Sequence, residues 1–158
     1  MHARDAPQVL AINRDSRPGV APLEAAELSR LMALPHEHRV ATHGSGVAGY
    51  LLAFQRGTPY EGEEFLAFRQ SFSGPYLYVD PVAVAPALRA TGVGRRLYAA
   101  IQSVAALQGT GVLCCEVNLT PPNPGSQAFH RRLGFSPVAT LTTRDGRDVE
   151  LLAKSLPG

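Results

Sequence analysis

Apolar positions along the chain change period several times, and each change marks an element. Gln8 to Asn13 alternates in the manner of a first strand, whereas Pro22 to Leu34 places Leu23, Ala26, Leu28, Leu31 and Leu34 at helical spacing before Pro35 stops the run. Arg39 to His43 and Val47 to Phe54 are β-rich and flank Gly44-Ser45-Gly46, which predicts a hairpin. Residues 56 to 75 are irregular; within them Glu63 to Phe72 predicts a short helix with Phe65, Phe68 and Phe72 on one side, suited to walling a cleft. Tyr76 to Val84 predicts a strong strand in which Pro81 lacks a ladder donor and so implies a bulge or a local break in pairing. Gly94 to Gln108 is the clearest helix, closed by Gly109 and Gly111. Val112 to Val117 predicts a strand that the proline-rich stretch Thr120 to Gly125 cannot extend, and Ser126 to Leu133 a short helix ending at Gly134. Val138 to Thr143 and Asp148 to Lys154 then pair across Arg144-Asp145-Gly146-Arg147. The order β-α-β-β-α-β-α-β-α-β-β indicates an α/β domain with a mixed sheet covered by helices.

At 158 residues the chain is expected to form a single domain, 1–158, which buries roughly two-thirds of its unfolded surface in one core. A content of 45% hydrophobic and 18% charged residues with a net charge of +2 is that of a globular protein without a dominant sign, so nucleic acid is not expected as the principal ligand. Cys114 and Cys115 are adjacent, and neighbours in a strand point to opposite faces, a poor geometry for a disulfide. Reduced thiols, the lack of a basic and apolar leader, and the lack of an apolar run near the roughly 18 residues of a membrane span lead to the expectation of a cytoplasmic protein that does not engage membranes.

The chemistry concentrates at Arg89-Ala90-Thr91-Gly92-Val93-Gly94, between a strand and a helix. Such a turn leaves backbone N–H groups at the helix N-terminus, where the dipole is positive, and favours an anion such as phosphate. A dinucleotide fingerprint needs a third glycine, where Arg95-Arg96-Leu97 stands; a Walker loop needs Gly-Lys-Ser/Thr, which is absent. The stretch from Val82 to Gly94 resembles instead the acetyl-coenzyme A motif of the GNAT N-acetyltransferases: Arg or Gln, two residues, Gly, one residue, Gly or Ala. Asn123 to Phe135 resembles the family's other cofactor motif at Asn123, Ser126, Phe129, Arg132, Gly134 and Phe135, about 35 residues further on.

The resemblance implies the GNAT fold: a mostly antiparallel, twisted sheet of six or seven strands, splayed between the fourth and fifth, with three or four helices. It implies transfer of acetyl from acetyl-coenzyme A, without a metal, to a primary amine of a small molecule or peptide, by direct attack in a ternary complex. The pyrophosphate is then expected on the backbone of residues 90 to 95, Ala90, Thr91, Gly92, Val93, Gly94 and Arg95, with Arg89 and Arg95 as charge partners. Val82, Ala83 and Val84 are expected to carry the pantetheine arm like an added strand, with an N–H near Val84 facing the oxyanion. Asn123, Ser126, Phe129 and His130 complete the cofactor set. His130, the candidate general acid, stands where many members carry a Tyr that protonates the departing thiolate; with an ordinary pKa of about 6.5 it is mostly neutral at pH 7, and a structural His contacting the cofactor is the other reading. Dimerisation is common in the family, so a homodimer is an open alternative to a monomer. The segment Glu116-Val117-Asn118-Leu119 before the prolines is similar to that of a bacterial subgroup and names no acceptor.

An ammonium acceptor must lose a proton. Glu116 is the preferred base or amine-binding carboxylate and Asp80 the second candidate. His36-Glu37-His38 lacks further metal ligands nearby, and the two cysteines are expected as core residues. Tyr50, Tyr60, Tyr76 and Tyr78 fit either core or pocket wall. Because position 130 lacks the Tyr, a non-catalytic module that binds acyl-coenzyme A is the rival reading, and transfer of a longer acyl group a second one.

Overall fold

A computed structural model describes residues 1–157. The segment expected as a first strand is a helix, α1 (Ala6–Asp15), with Pro7 in its first turn. Its buried residues Val9, Ile12 and Asn13 are three and four apart, the spacing of one helical face, and that face packs against the sheet. Reading Gln8 to Asn13 as alternating was therefore a wrong choice of period. α2 (Ala25–Ala33) follows, then the predicted hairpin β1 (Arg39–His43) and β2 (Gly46–Gln55), α3 (Glu63–Ser71), β3 (Leu77–Val84), α4 (Val93–Leu107), β4 (Val112–Thr120), α5 (Pro124–Arg132), β5 (Ser136–Thr142) and β6 (Asp148–Ser155). Among the described residues the α-helices number five, against the three or four expected, and the strands number six.

The sheet order is β1-β2-β3-β4-β6-β5, antiparallel except for β3 and β4, which run parallel with α4 as their crossover. β2 is apolar on both faces because helices cover both: Tyr50, Leu52 and Phe54 pack with α1, α2 and α3, whereas Leu51 and Ala53 pack with α4. Phe65 and Phe68 of α3 join the first of these cores and are fully buried. Cys114 and Cys115 are buried free thiols in opposite cores.

Two irregularities in β3 shape everything that follows. Leu51 pairs with Val82 and Ala53 with Val79, so Leu52 alone faces Asp80 and Pro81, the bulge that Pro81 predicts. The parallel ladder with β4 has only three rungs, Leu77 with Leu113, Tyr78 with Cys114 and Val79 with Cys115. Beyond Val79, β3 stays with β2 while β4 continues along β6, and a wedge opens between them. This is the splay expected between the fourth and fifth predicted strands, now β3 and β4.

Candidate active site

Two cavities meet in that wedge. The larger, about 720 Å³, is a groove lined by every expected cofactor residue except Thr91, which lies across the turn beside His43 and Arg96 and donates its hydroxyl to Leu88 O at 2.6 Å. The turn before α4 uses two left-handed residues, Ala90 (φ 61°) and Gly92 (φ 91°), and Gly92 caps the helix without a side-chain bond. The first N–H groups of α4 therefore face the groove with the dipole behind them. Close packing sets the position of this helix end: a Cβ on Gly49 of β2 would lie 2.8 Å from Ala83 O and 3.0 Å from Val93 Cγ1, and one on Gly94 would lie 3.0 Å from Phe129 Cζ.

The edge of β3 is unpaired by any strand where the arm of a cofactor would lie, although Val84 O accepts from Arg89. Ala85 N donates to Ala48 O, and bonded pairs alternate in an antiparallel ladder, so the Tyr50–Ala83 pair is bonded and the backbone groups of Val82 and Val84 point into the wedge. Arg89 lines the groove and also braces the turn: its guanidinium donates to Val84 O at 3.2 Å, to Asp15 O at 3.3 Å and to Ser16 Oγ at 3.2 Å, which ties the turn to the end of α1. Arg95 is exposed on the first turn of α4, and Arg132 of the second motif and Arg17, which no motif announces, join it on the groove.

His130 is buried, and its protons are assigned by its neighbours. Nδ1 lies 2.8 Å from Ser126 O, a carbonyl that only accepts, so Nδ1 carries the hydrogen; Nε2 then accepts from the Tyr98 hydroxyl at 2.8 Å. Burial lowers its pKa. A neutral imidazole with its bare nitrogen already occupied is not arranged to protonate a thiolate. Asn123 caps α5 by accepting from Ser126 N at 3.2 Å and also donates to Gly19 O at 3.4 Å, so the loop after α1 walls both cavities.

The second cavity, about 230 Å³, is acidic: Asp80, Glu116 and Glu64 line it together with Tyr60 and Arg147. Tyr60 donates to Asp80 Oδ2 at 2.8 Å, and Tyr78 to Glu116 Oε2 at 2.6 Å. Arg147 bonds Glu64 Oε1 at 3.3 Å and Asn118 Oδ1 at 3.0 Å. Burial, the largest cause in each case, raises the pKa of all three carboxyls; the charge of Asp80 adds to the rise at Glu116, where it is largest. Sequence reasoning missed Glu64, Tyr98 and Arg147 as site residues, because each reaches the wedge from an element remote in sequence, and left Tyr60 open between core and pocket wall, where it now lines the cavity. Gly19, Val20, Val82, Asn123, Ser126 and His130 border both cavities. His36 and His38 lie elsewhere, stacked at 3.9 Å.

The profile of the acetyltransferase (GNAT) family matches residues 7–135. In structure the chain is similar to Ard1 from Thermoplasma volcanium (TM-score 0.77, 19% identity, covering 100% of this chain and 95% of that one). It is similar also to the ribosomal-protein-S18-alanine N-acetyltransferase from Escherichia coli (0.74, 17%, 100% and 93%) and the ribosomal-protein-alanine N-acetyltransferase from Brucella melitensis (0.72, 24%, 99% and 97%). No curated protein sequence matches the chain. Among the described residues no helix is long and apolar enough to cross a membrane.

Proposed function

The chain belongs to the GNAT acetyltransferase family, and from that premise we propose that it transfers acetyl from acetyl-coenzyme A to a primary amine by direct attack in a ternary complex. The observation that carries this reading is the shared border of the two cavities: a groove suited to pyrophosphate and pantetheine opens at the wedge onto an acidic cavity suited to an ammonium group. The pyrophosphate rests on the N–H groups at the start of α4, and the pantetheine amides add to the open edge at Val82 and Val84. The thioester then lies at the border, its carbonyl toward the Val84 N–H and its carbon toward the cavity. Glu116 is the carboxylate we assign to the acceptor amine.

A module that only binds the cofactor has no use for buried carboxylates beside the thioester, and their presence favours the enzyme over that rival. The test is release of free coenzyme A thiol across a library of small amines and peptides, with acetyl- and longer acyl-coenzyme A as donors. Turnover of acetyl-coenzyme A with one amine class is the expected result. Tight cofactor binding without turnover of any amine would overturn the reading.

A further inference from the structure

Asp80 and Glu116 are the first residues beyond the last rung of the β3–β4 ladder, Val79 with Cys115. Both line the acidic cavity at the point where the two strands part. Two carboxylates in that relation repel each other. The cation nearest to them, Arg147, is already bonded to Glu64, Asp145 and Asn118. What each carboxyl has instead is a phenol, Tyr60 for Asp80 and Tyr78 for Glu116, with Tyr78 and Glu116 both in hydrogen-bonding reach of Asp80.

We propose that Asp80 and Glu116 act as one proton-sharing pair that takes up the acceptor as an alkylammonium ion and removes its proton, with Tyr60 as the positioning residue. This rests on the acetyl-transfer reading above. The empty pair holds one proton. An arriving ammonium ion displaces it to solvent, because its charge now separates the two carboxylates. One ammonium proton then passes to the pair, restoring the singly protonated state, and the neutral amine attacks the thioester carbon. The N–C bond forms, the C–S bond breaks, and the second nitrogen proton leaves with the sulfur as thiol. The other titratable groups facing the pair are Glu64 from α3, Arg147 from the turn between β5 and β6, Cys115 and Tyr98 from the α4 side, and Tyr50 from β2. Burial raises the pKa of both carboxyls, which agrees with a retained proton. The acceptors selected are strongly basic alkylamines, in preference to arylamines that arrive uncharged.

Carboxyl carbon NMR of the coenzyme A complex reads the pair without an acceptor. The expected titration has two coupled steps, the upper one above the ordinary carboxylate range, and Glu116→Gln collapses Asp80 to one lower step. Independent single steps at ordinary values would overturn the pair. With the best alkylamine from the library, Asp80→Asn and Glu116→Gln should each lower kcat/KM at least about tenfold, and the double variant should be no worse than the weaker single by more than about threefold. Multiplicative losses, or equal turnover of arylamines, would overturn it. Tyr60→Phe should move the acid limb of the pH–rate profile while coenzyme A affinity holds; an unmoved limb would reduce Tyr60 to packing. Should the native enzyme turn over no amine, the acetyl-transfer reading fails while the NMR titration still decides the pair.

Discussion

Gly49→Ala tests whether close packing at β2 positions the cofactor turn. The added Cβ meets Ala83 O at 2.8 Å, Val93 Cγ1 at 3.0 Å and Leu97 Cδ1 at 3.4 Å. The first of these is sheet backbone and cannot swing aside; the other two belong to the first turns of α4 and can move only with the helix. Overpacking of this kind costs about 1–3 kcal/mol, while the reduced freedom of the unfolded chain returns about 0.4–1 kcal/mol. The net loss, centred on about 1.3 kcal/mol, corresponds to a fall in Tm of about 3–5 °C for a chain of this length. Because relief comes from lifting the N-terminus of α4 away from β3, coenzyme A should also bind about three- to tenfold more weakly. Calorimetry measures both. An unchanged Tm with unchanged affinity would show that the helix end tolerates a methyl group at β2 and is not held by this contact.

Three further outcomes are expected. Gly92→Ala, at φ 91°, costs about 1–2 kcal/mol in backbone strain although its Cβ meets open space, and Gly94→Val drives against Phe129; both should weaken coenzyme A binding by calorimetry. Asn13 is fully buried, donating to Ala21 O and Tyr50 Oη and accepting from Leu23 N, so Asn13→Leu should cost about 2–4 kcal/mol in urea unfolding and loosen the loop that walls both cavities. His38, buried and accepting from Ala53 N, has its pKa pushed down to about 3 by burial. The unfolded chain therefore binds the proton first: the stability that His38 contributes is complete above about pH 6.5 and falls as pH drops toward 3, by about 3 kcal/mol at about pH 4. Acid unfolding of His38→Gln should lose that slope, and an equal slope would refute the assignment.

The elements that proved legible are those whose period is long or whose punctuation is chemical. α4 shows through its apolar stripe and its glycines, the β1–β2 hairpin through Gly44-Ser45-Gly46, and the bulge through Pro81, since each signal is local. α1 failed because six residues of mixed character satisfy a period of two as easily as one of three and four. Asn13 decides the matter only in three dimensions, where its amide ties α1 to the following loop and to Tyr50. Arg89 was legible only in part. Its place in the motif was legible, but the partners that occupy its guanidinium lie at the end of α1, more than seventy residues earlier.

The acidic site shows why motif and mechanism separate. The groove is lined by Val82 to Arg95, by α5 and by the loop after α1, and the residues of the first motif within it are contiguous in sequence, so a local pattern is enough to announce it. Asp80 and Glu116 carry no such pattern. Each is an ordinary acidic residue in its own strand, and weighing one against the other as alternatives was the natural reading of a linear chain. The three-rung ladder from Leu77–Leu113 to Val79–Cys115 turns them into neighbours, and register of this kind is fixed only by the packing of both faces. The same wedge that frees Val82 and Val84 for the cofactor thus ends the ladder one residue before the two carboxyls. A change that extended β3–β4 pairing as far as Val82 and Val84 would close the edge assigned to the cofactor and draw the carboxyls into the sheet together, so cofactor binding and proton removal should be lost as a unit.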